Sequence, residues 1–167
     1  MPINSSLIAE LNQEGANTRK MIERVPDESL SWAPHNKSMT LGRLATHTAD
    51  IPVWFERVIN ADVYDFAASN YKRDELDNIQ DILNLFDERL AAAKILLENS
   101  TDDILNAPWT LRRGEQIYFT LPRKVSLRNF AFNHIYHHRG QLSVYLRLLD
   151  VPVPGMYGPT ADEAILI

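Results

Sequence analysis

Four stretches of this 167-residue chain repeat apolar side chains every three or four positions, the period of a helix with one buried face. The first spans about Asn4 to Val25, with Leu7, Leu11, Thr18, Ile22 and Val25 on one stripe and Pro26 ending it. The second opens at Thr40, a residue type that caps helices, and carries Leu41, Leu44, Ile51, Phe55 and Val58 on one face. Pro52 lies inside it and predicts a kink, because it removes an amide donor and crowds the carbonyl of Thr48. The third spans about Asp77 to Glu98, through Ile79, Leu83, Phe86, Leu90, Ala93 and Leu97. The fourth is read as starting at an N-cap, Ser126, and closing at Leu149, before Asp150, Val151 and Pro152.

Four amphipathic helices of this length, each about 30 Å long, predict an all-α fold, a four-helix bundle. Up-and-down bundles favour short links, whereas here 61–76 and 100–125 are long. They predict crossover connections, or loops that wall a site. One stretch, Trp109 to Thr120, has the character of a short hairpin turning at Arg113-Gly114. The tail from Val151 holds too much Pro and Gly for a fifth long helix and is expected to lie along the bundle.

With no repeat, low-complexity tract or composition break, residues 1–167 read as a single domain. The net charge of −5 lacks the broad basic field that nucleic-acid binding draws on. The amino terminus is polar where a signal peptide is apolar, and no apolar run approaches the roughly 20 residues needed to span a bilayer. A soluble cytoplasmic protein, acting on a small molecule and on neither nucleic acid nor membrane, is the expectation. Cysteine is absent, which excludes disulfides, thiolate metal sites and a cysteine nucleophile. Metal chemistry in this chain must rest on His, Asp or Glu.

Five histidines are available. His134 and His138 are four apart on the fourth helix and share a face with Leu127, Phe130, Ala131, Leu142, Tyr145 and Leu149. His47 lies three residues after Leu44 and four before Ile51, on the buried stripe of the second helix. Three imidazoles from two helices thus aim inward. Three neutral imidazoles can ligate Zn, Ni, Cu or Fe and leave a position for water or substrate, the pattern of catalytic zinc sites. Hydrogen-bonded core histidines are the other reading, though each buried ring then needs partners for both nitrogens. His137 is offset from that face and is read as flanking or surface; His35, after Pro34 in a loop, is read as solvated.

The segments PHNKSMTLGRLATHTADIPVW (34–54) and FNHIYHHRGQLSVYLRLLDVPVPGMYGPTADE (132–163) resemble the DinB/YfiT superfamily of metalloenzymes, in particular the damage-inducible DinB group, which is unrelated to the translesion polymerase sharing that name. The resemblance covers essentially the whole chain. It implies a four-helix bundle with non-sequential connections, commonly a homodimer. It also implies a divalent ion, zinc or nickel, held by one His of the second helix and two of the last, here His47, His134 and His138. Superfamily members resemble thiol-dependent transferases and isomerases, in which a low-molecular-weight thiol cosubstrate meets the metal as a thiolate.

Among supporting groups, Asp50 is three after His47, placed to orient an imidazole or act as a base, or simply to be solvated beside Pro52. Gln141 and Tyr145, three and seven after His138, are positioned to border the site; Tyr145 joins Asp50 as a candidate catalytic residue, with core packing and a hydrogen-bonded hydroxyl its more usual role. Gly140 suggests a close helix approach. Arg112, Arg113, Arg123, Lys124 and Arg128 cluster before the last helix, either to attract an acidic cosubstrate or as solvated surface. The expectation is a divalent-metal enzyme with an open three-His site, a thiol-dependent S-transferase or a hydrolase. The alternative is a non-catalytic helical module that binds a metal or small ligand.

Overall fold

The computed structural model describes residues 2–71 and 76–164. Helix α1 runs Ile3–Ile22 and is followed by a 3-10 turn at Asp27–Ser29. Thr40 then caps α2 (Leu41–Asp50), its hydroxyl accepting from the Arg43 amide at 3.2 Å. Pro52 does more than kink the second segment. It ends α2, and a separate helix α3 runs Val53–Ile59. Strand β1 (Val63–Asp65) lies in the first long link, and α4 (Ile79–Glu98) begins at Asn78, whose side chain accepts from the Asp81 amide.

The second long link is built rather than looped. It holds α5 (Asp102–Asn106), β2 (Pro108–Arg113) and β3 (Gln116–Pro122). The expected hairpin is therefore present, turning at Gly114, which adopts a φ of +58°. The strictly all-α expectation fails here: β1 pairs in parallel with β2, which pairs antiparallel with β3. This small sheet caps a mostly helical fold. A three-residue strand is too short to show a period, and it is ordered by pairing along β2.

The final helix departs from expectation at its start. It begins not at Ser126 but at Arg123, directly after Pro122, as α6 (Arg123–Leu127). A π-helical stretch at Arg128–Phe132 then joins it to α7 (Asn133–Leu148). Ser126 sits inside this helix, and its hydroxyl is buried without a hydrogen-bond partner among the described residues. The extra residue of a π turn rotates the faces of α7 relative to those of α6. The buried line is accordingly Ala131, Ile135, Leu142 and Leu146, while Phe130, Tyr145 and Leu149 fall to its partly buried flanks.

Helix α1 packs chiefly on α4 and α7, and α2 packs chiefly on the same two. Sequence neighbours α1 and α2 thus lie diagonally across the bundle, which is what the long links permit. The core has two parts that meet near Leu90. One gathers Ile51, Phe55, Leu97, Trp109, Ala131 and Phe132; the other gathers Met21, Leu44, Ala49, Phe86, Leu142 and Leu146. Phe55 and Phe132 are fully buried with rings 5.4 Å apart, each contributing about 1.5–3 kcal/mol of burial. Along α2 and α7 the two parts change over between Ala49 and Ile51 and between Ile135 and Leu142. His138 lies within that changeover, and His47 and His134 lie one or two residues before it.

Gly140 does not mark a close approach, since a Cβ there would meet nothing within 4 Å. The tight helix contact is at Gly15, where a Cβ would lie 2.6 Å from Leu90 of α4. Among the described residues the tail forms no helix, and it is tied back to the bundle: Tyr157 donates to Glu14 at 2.6 Å and Arg24 pairs with Glu163 at 2.7 Å. Among the described residues no helix is long and apolar enough to cross a membrane.

Candidate metal centre

Helix α2 projects His47 and α7 projects His134 and His138, one turn apart, into the same space. Their candidate ligand atoms all lie within 4.8 Å of one another. The ring centroids are 5.0 Å apart for His47 and His134, 4.6 Å for His47 and His138, and 4.7 Å for His134 and His138. His138 is buried, and His47 and His134 are partly so.

The hydrogen bonds to the rings decide which nitrogens are offered. His134 Nδ1 lies 3.3 Å from the Phe130 carbonyl, which only accepts, so this nitrogen carries the proton. His138 Nδ1 lies 2.7 Å from Gln141 Oε1 and donates to it. In the neutral ring each Nε2 then presents a lone pair. His134 Nε2 stands 3.2 Å from His47 Nε2. Two nitrogens bound to one tetrahedral ion at about 2.05 Å are separated by about 3.3 Å, so this spacing suits a shared ion. Backing each ligand ring through Nδ1 is also how protein metal sites fix a histidine's tautomer and direction.

The electrostatics suit a cation as well. Burial, joined by the neighbouring charge of His138, pushes the His134 imidazole down to about 4, and burial lowers that of His138 as well. Both rings are neutral ligands at pH 7 without a proton to displace. An all-nitrogen donor set of this kind suits zinc, nickel, copper or iron.

Asp50, one turn along from His47, is buried, and each of its oxygens has a partner. Oδ1 accepts from Arg89 Nε at 3.0 Å and Oδ2 accepts from the Tyr71 hydroxyl. It is therefore not the solvated carboxylate that sequence allowed. Two cavities flank this point and share His47, Asp50 and Tyr71 on their walls. One, of about 740 Å3, runs past Thr40, Arg43 and Leu76; the other, of about 520 Å3, reaches His134, Trp54 and Arg57. Volumes of this order fit small organic ligands.

The other candidates lie elsewhere. The Tyr145 hydroxyl donates to the Met39 carbonyl at 3.2 Å and its ring stands edge-on to Trp32, a packing arrangement. Gln141 does border the centre, through His138. His137 is exposed, with its ring edge-on to His138, and His35 is exposed in its turn. Most of the basic cluster is structural. Arg112 pairs with Asp65, Arg128 with Glu10, and buried Arg123 with Asp62 and the Val58, Ala61 and Pro108 carbonyls. Arg113 alone among these lines a cavity beside the histidines. Sequence reasoning missed Arg89, Tyr71 and Arg57. Arg89 was findable in principle, because it follows Phe86 by three on α4, but nothing local ties it to Asp50.

Known proteins share this arrangement of chain. YrdA of Bacillus subtilis (strain 168) is 29% identical over 157 residues, covering 90% of this chain and 85% of its own. A crystal structure of a DinB-like protein from Bacillus cereus ATCC 10987 superposes with a TM-score of 0.74 at 24% identity, over 93% of this chain and 98% of that one. YfiT from Bacillus subtilis, described as a probable metal-dependent hydrolase with an unusual four-helix bundle topology, matches with a TM-score of 0.60 at 19% identity, over 89% and 88% of the two chains. The family model for the DinB family matches residues 1–165. The chain belongs to the DinB family.

Proposed function

We propose that this protein is a divalent-metal enzyme whose centre is His47, His134 and His138, with the adjoining cavities receiving the substrate. The observation that carries the reading is the convergence of three imidazoles within 4.8 Å, at least two of them backed through Nδ1, with His47 and His134 on the wall of a ligand-sized cavity. A purely structural ion is enclosed by four protein ligands, whereas three histidines beside a cavity leave room for an exchangeable one. An ion held there, zinc or nickel in our reading, would make a nucleophile available at neutral pH by lowering the pKa of water or of a thiol. The likeness to YfiT, a probable metal-dependent hydrolase by its description, supports the water route. A thiol nucleophile would have to come from a cosubstrate, because the chain has no cysteine.

The chain's own groups have separable tasks. Phe130 and Gln141 orient the rings of His134 and His138. Asp50, fixed by Arg89 and Tyr71 on the shared wall of both cavities, is the group we assign to take a proton from the nucleophile. Tyr145 has no part in this scheme.

The test is a panel of activated esters, and of electrophiles with added low-molecular-weight thiols, assayed with protein of measured metal content. Turnover should track occupancy and vanish in His134→Ala. Asp50→Asn should lose about 10²–10⁴-fold in turnover while retaining metal. Turnover by metal-free protein, or full turnover by His134→Ala, would refute the reading.

A further inference from the structure

Every described arginine from Arg19 to Arg147 is salt-bridged to a carboxylate, except three: Arg43, Arg57 and Arg113. Those three line the two cavities beside His47. Arg43 shares its cavity with Asp77, but Arg57 and Arg113 share theirs with a carboxylate, Asp50, already held by Arg89 and Tyr71. The smaller cavity therefore carries two guanidinium groups without a carboxylate partner among the described residues. A protein of net charge −5 that pairs its other described arginines leaves this pair facing one ligand-sized space.

The setting of Arg57 adds a second, independent constraint. Its guanidinium carbon lies 4.7 Å from the Trp54 ring centroid, 5.0 Å from Tyr64 and 4.4 Å from Tyr71. Stacking on aromatic faces fixes the guanidinium plane and occupies its faces, leaving the N–H edge as the part that can bond. Arg113 stands over Phe66 at 6.0 Å, on the same cavity. An arginine edge presents paired donors that match the two oxygens of a carboxylate or a phosphate. Trp54, Tyr64 and Phe66 supply apolar wall to the same cavity, which His47 and His134 also line.

We propose that this cavity binds a small organic anion, its carboxylate or phosphate oxygens on Arg57 and Arg113 and its apolar body against Trp54, Tyr64 and Phe66. The end away from the anionic group then faces His47 and His134. The proposal deepens the metal-enzyme reading and rests on it for the reacting end. The anion contact itself does not need the ion. The arginines act as binding and specificity residues, and neutral analogues are discriminated against because they leave two cavity-facing cations without a counter-charge.

The experiment is isothermal titration calorimetry of the full chain with phenylacetate, phenyl phosphate and the neutral phenylacetamide. Each is run on metal-loaded and on chelator-treated protein, with metal content measured separately. One or both anions should bind at least tenfold more tightly than the amide in both preparations. Arg113→Gln, on an exposed strand end, should lose at least tenfold in anion affinity with unchanged metal content, and Arg57→Lys should lose less than Arg57→Gln. Anion binding that equals amide binding, that is untouched in Arg113→Gln and Arg57→Gln alike, or that is absent at millimolar ligand would overturn the proposal. Anion binding seen only in metal-loaded protein and insensitive to both arginines would also overturn it while leaving the metal centre standing. Failure to hold metal, with arginine-dependent anion binding intact, would instead refute the metal-enzyme reading alone.

Discussion

Gln141 touches no other candidate ligand by hydrogen bond, yet the centre is expected to depend on it. Its Oε1 accepts the Nδ1 proton of His138 at 2.7 Å, and His138 is only 8% exposed. In Gln141→Leu that N–H loses its acceptor in a site that water reaches poorly, and an unsatisfied buried donor costs about 1–3 kcal/mol. The ring is then free to adopt the other tautomer, which places a proton on the Nε2 that should offer a lone pair. Partners of this kind are typically worth about 10–100-fold in metal affinity, or about 1.4–2.7 kcal/mol. Gln141→Leu should therefore weaken zinc binding within that range, measured by competition against a chromophoric chelator. Gln141→Glu keeps an acceptor in place and should retain or raise the affinity. Zinc affinity within twofold of the parent in Gln141→Leu, with the fold intact by circular dichroism, would refute the argument that Gln141 sets the His138 tautomer.

Three further outcomes are expected. His134 sits near 4 in the folded metal-free protein against about 6.5 unfolded, so between those values the unfolded chain binds the extra proton. Metal-free stability should thus fall as pH drops from about 6.5 to about 4, and His134→Gln should flatten that slope in urea titrations. Arg139 and Glu14 form a buried pair at 2.7 Å with side chains 5% and 9% exposed; Arg139→Ala strands the Glu14 charge and should cost about 3–5 kcal/mol by chemical denaturation. Ser126→Ala should be neutral or stabilise by about 1 kcal/mol, because it removes a buried hydroxyl that has no partner; a loss of about 1 kcal/mol would instead indicate a working N-cap.

Residue spacing made the histidines legible. His134 and His138 at i and i+4 share a face on an α-helix, and His47 is bracketed by Leu44 and Ile51, both fully buried. Thr40 capped its helix as its residue type suggested. Ser126 misled because Ser is a favoured cap, whereas the helix start was marked by Pro122, which ends β3 and precedes the first helical turn. The π stretch at Arg128–Phe132 has no sequence period of its own, yet it places the Phe130 carbonyl beside His134 and shifts the buried line onto Ile135 and Leu146. The contacts of Asp50 span 21 and 39 residues, and β1 meets β2 across 47, distances at which no local pattern carries information. Of the aromatic neighbours of Arg57, Trp54 lies one turn back on α3, but Tyr64 on β1 and Tyr71 beyond it are brought there by a strand and a link that carry no period of their own.

The central claim is that His47, His134 and His138 hold one divalent ion. Elemental analysis of protein purified without a metal-affinity tag, as isolated and after zinc or nickel soaking, tests it most directly. About one ion per chain is expected in the parent, with its loss in His47→Ala. Occupancy of a few per cent or less after soaking, or equal occupancy in His47→Ala, would contradict it.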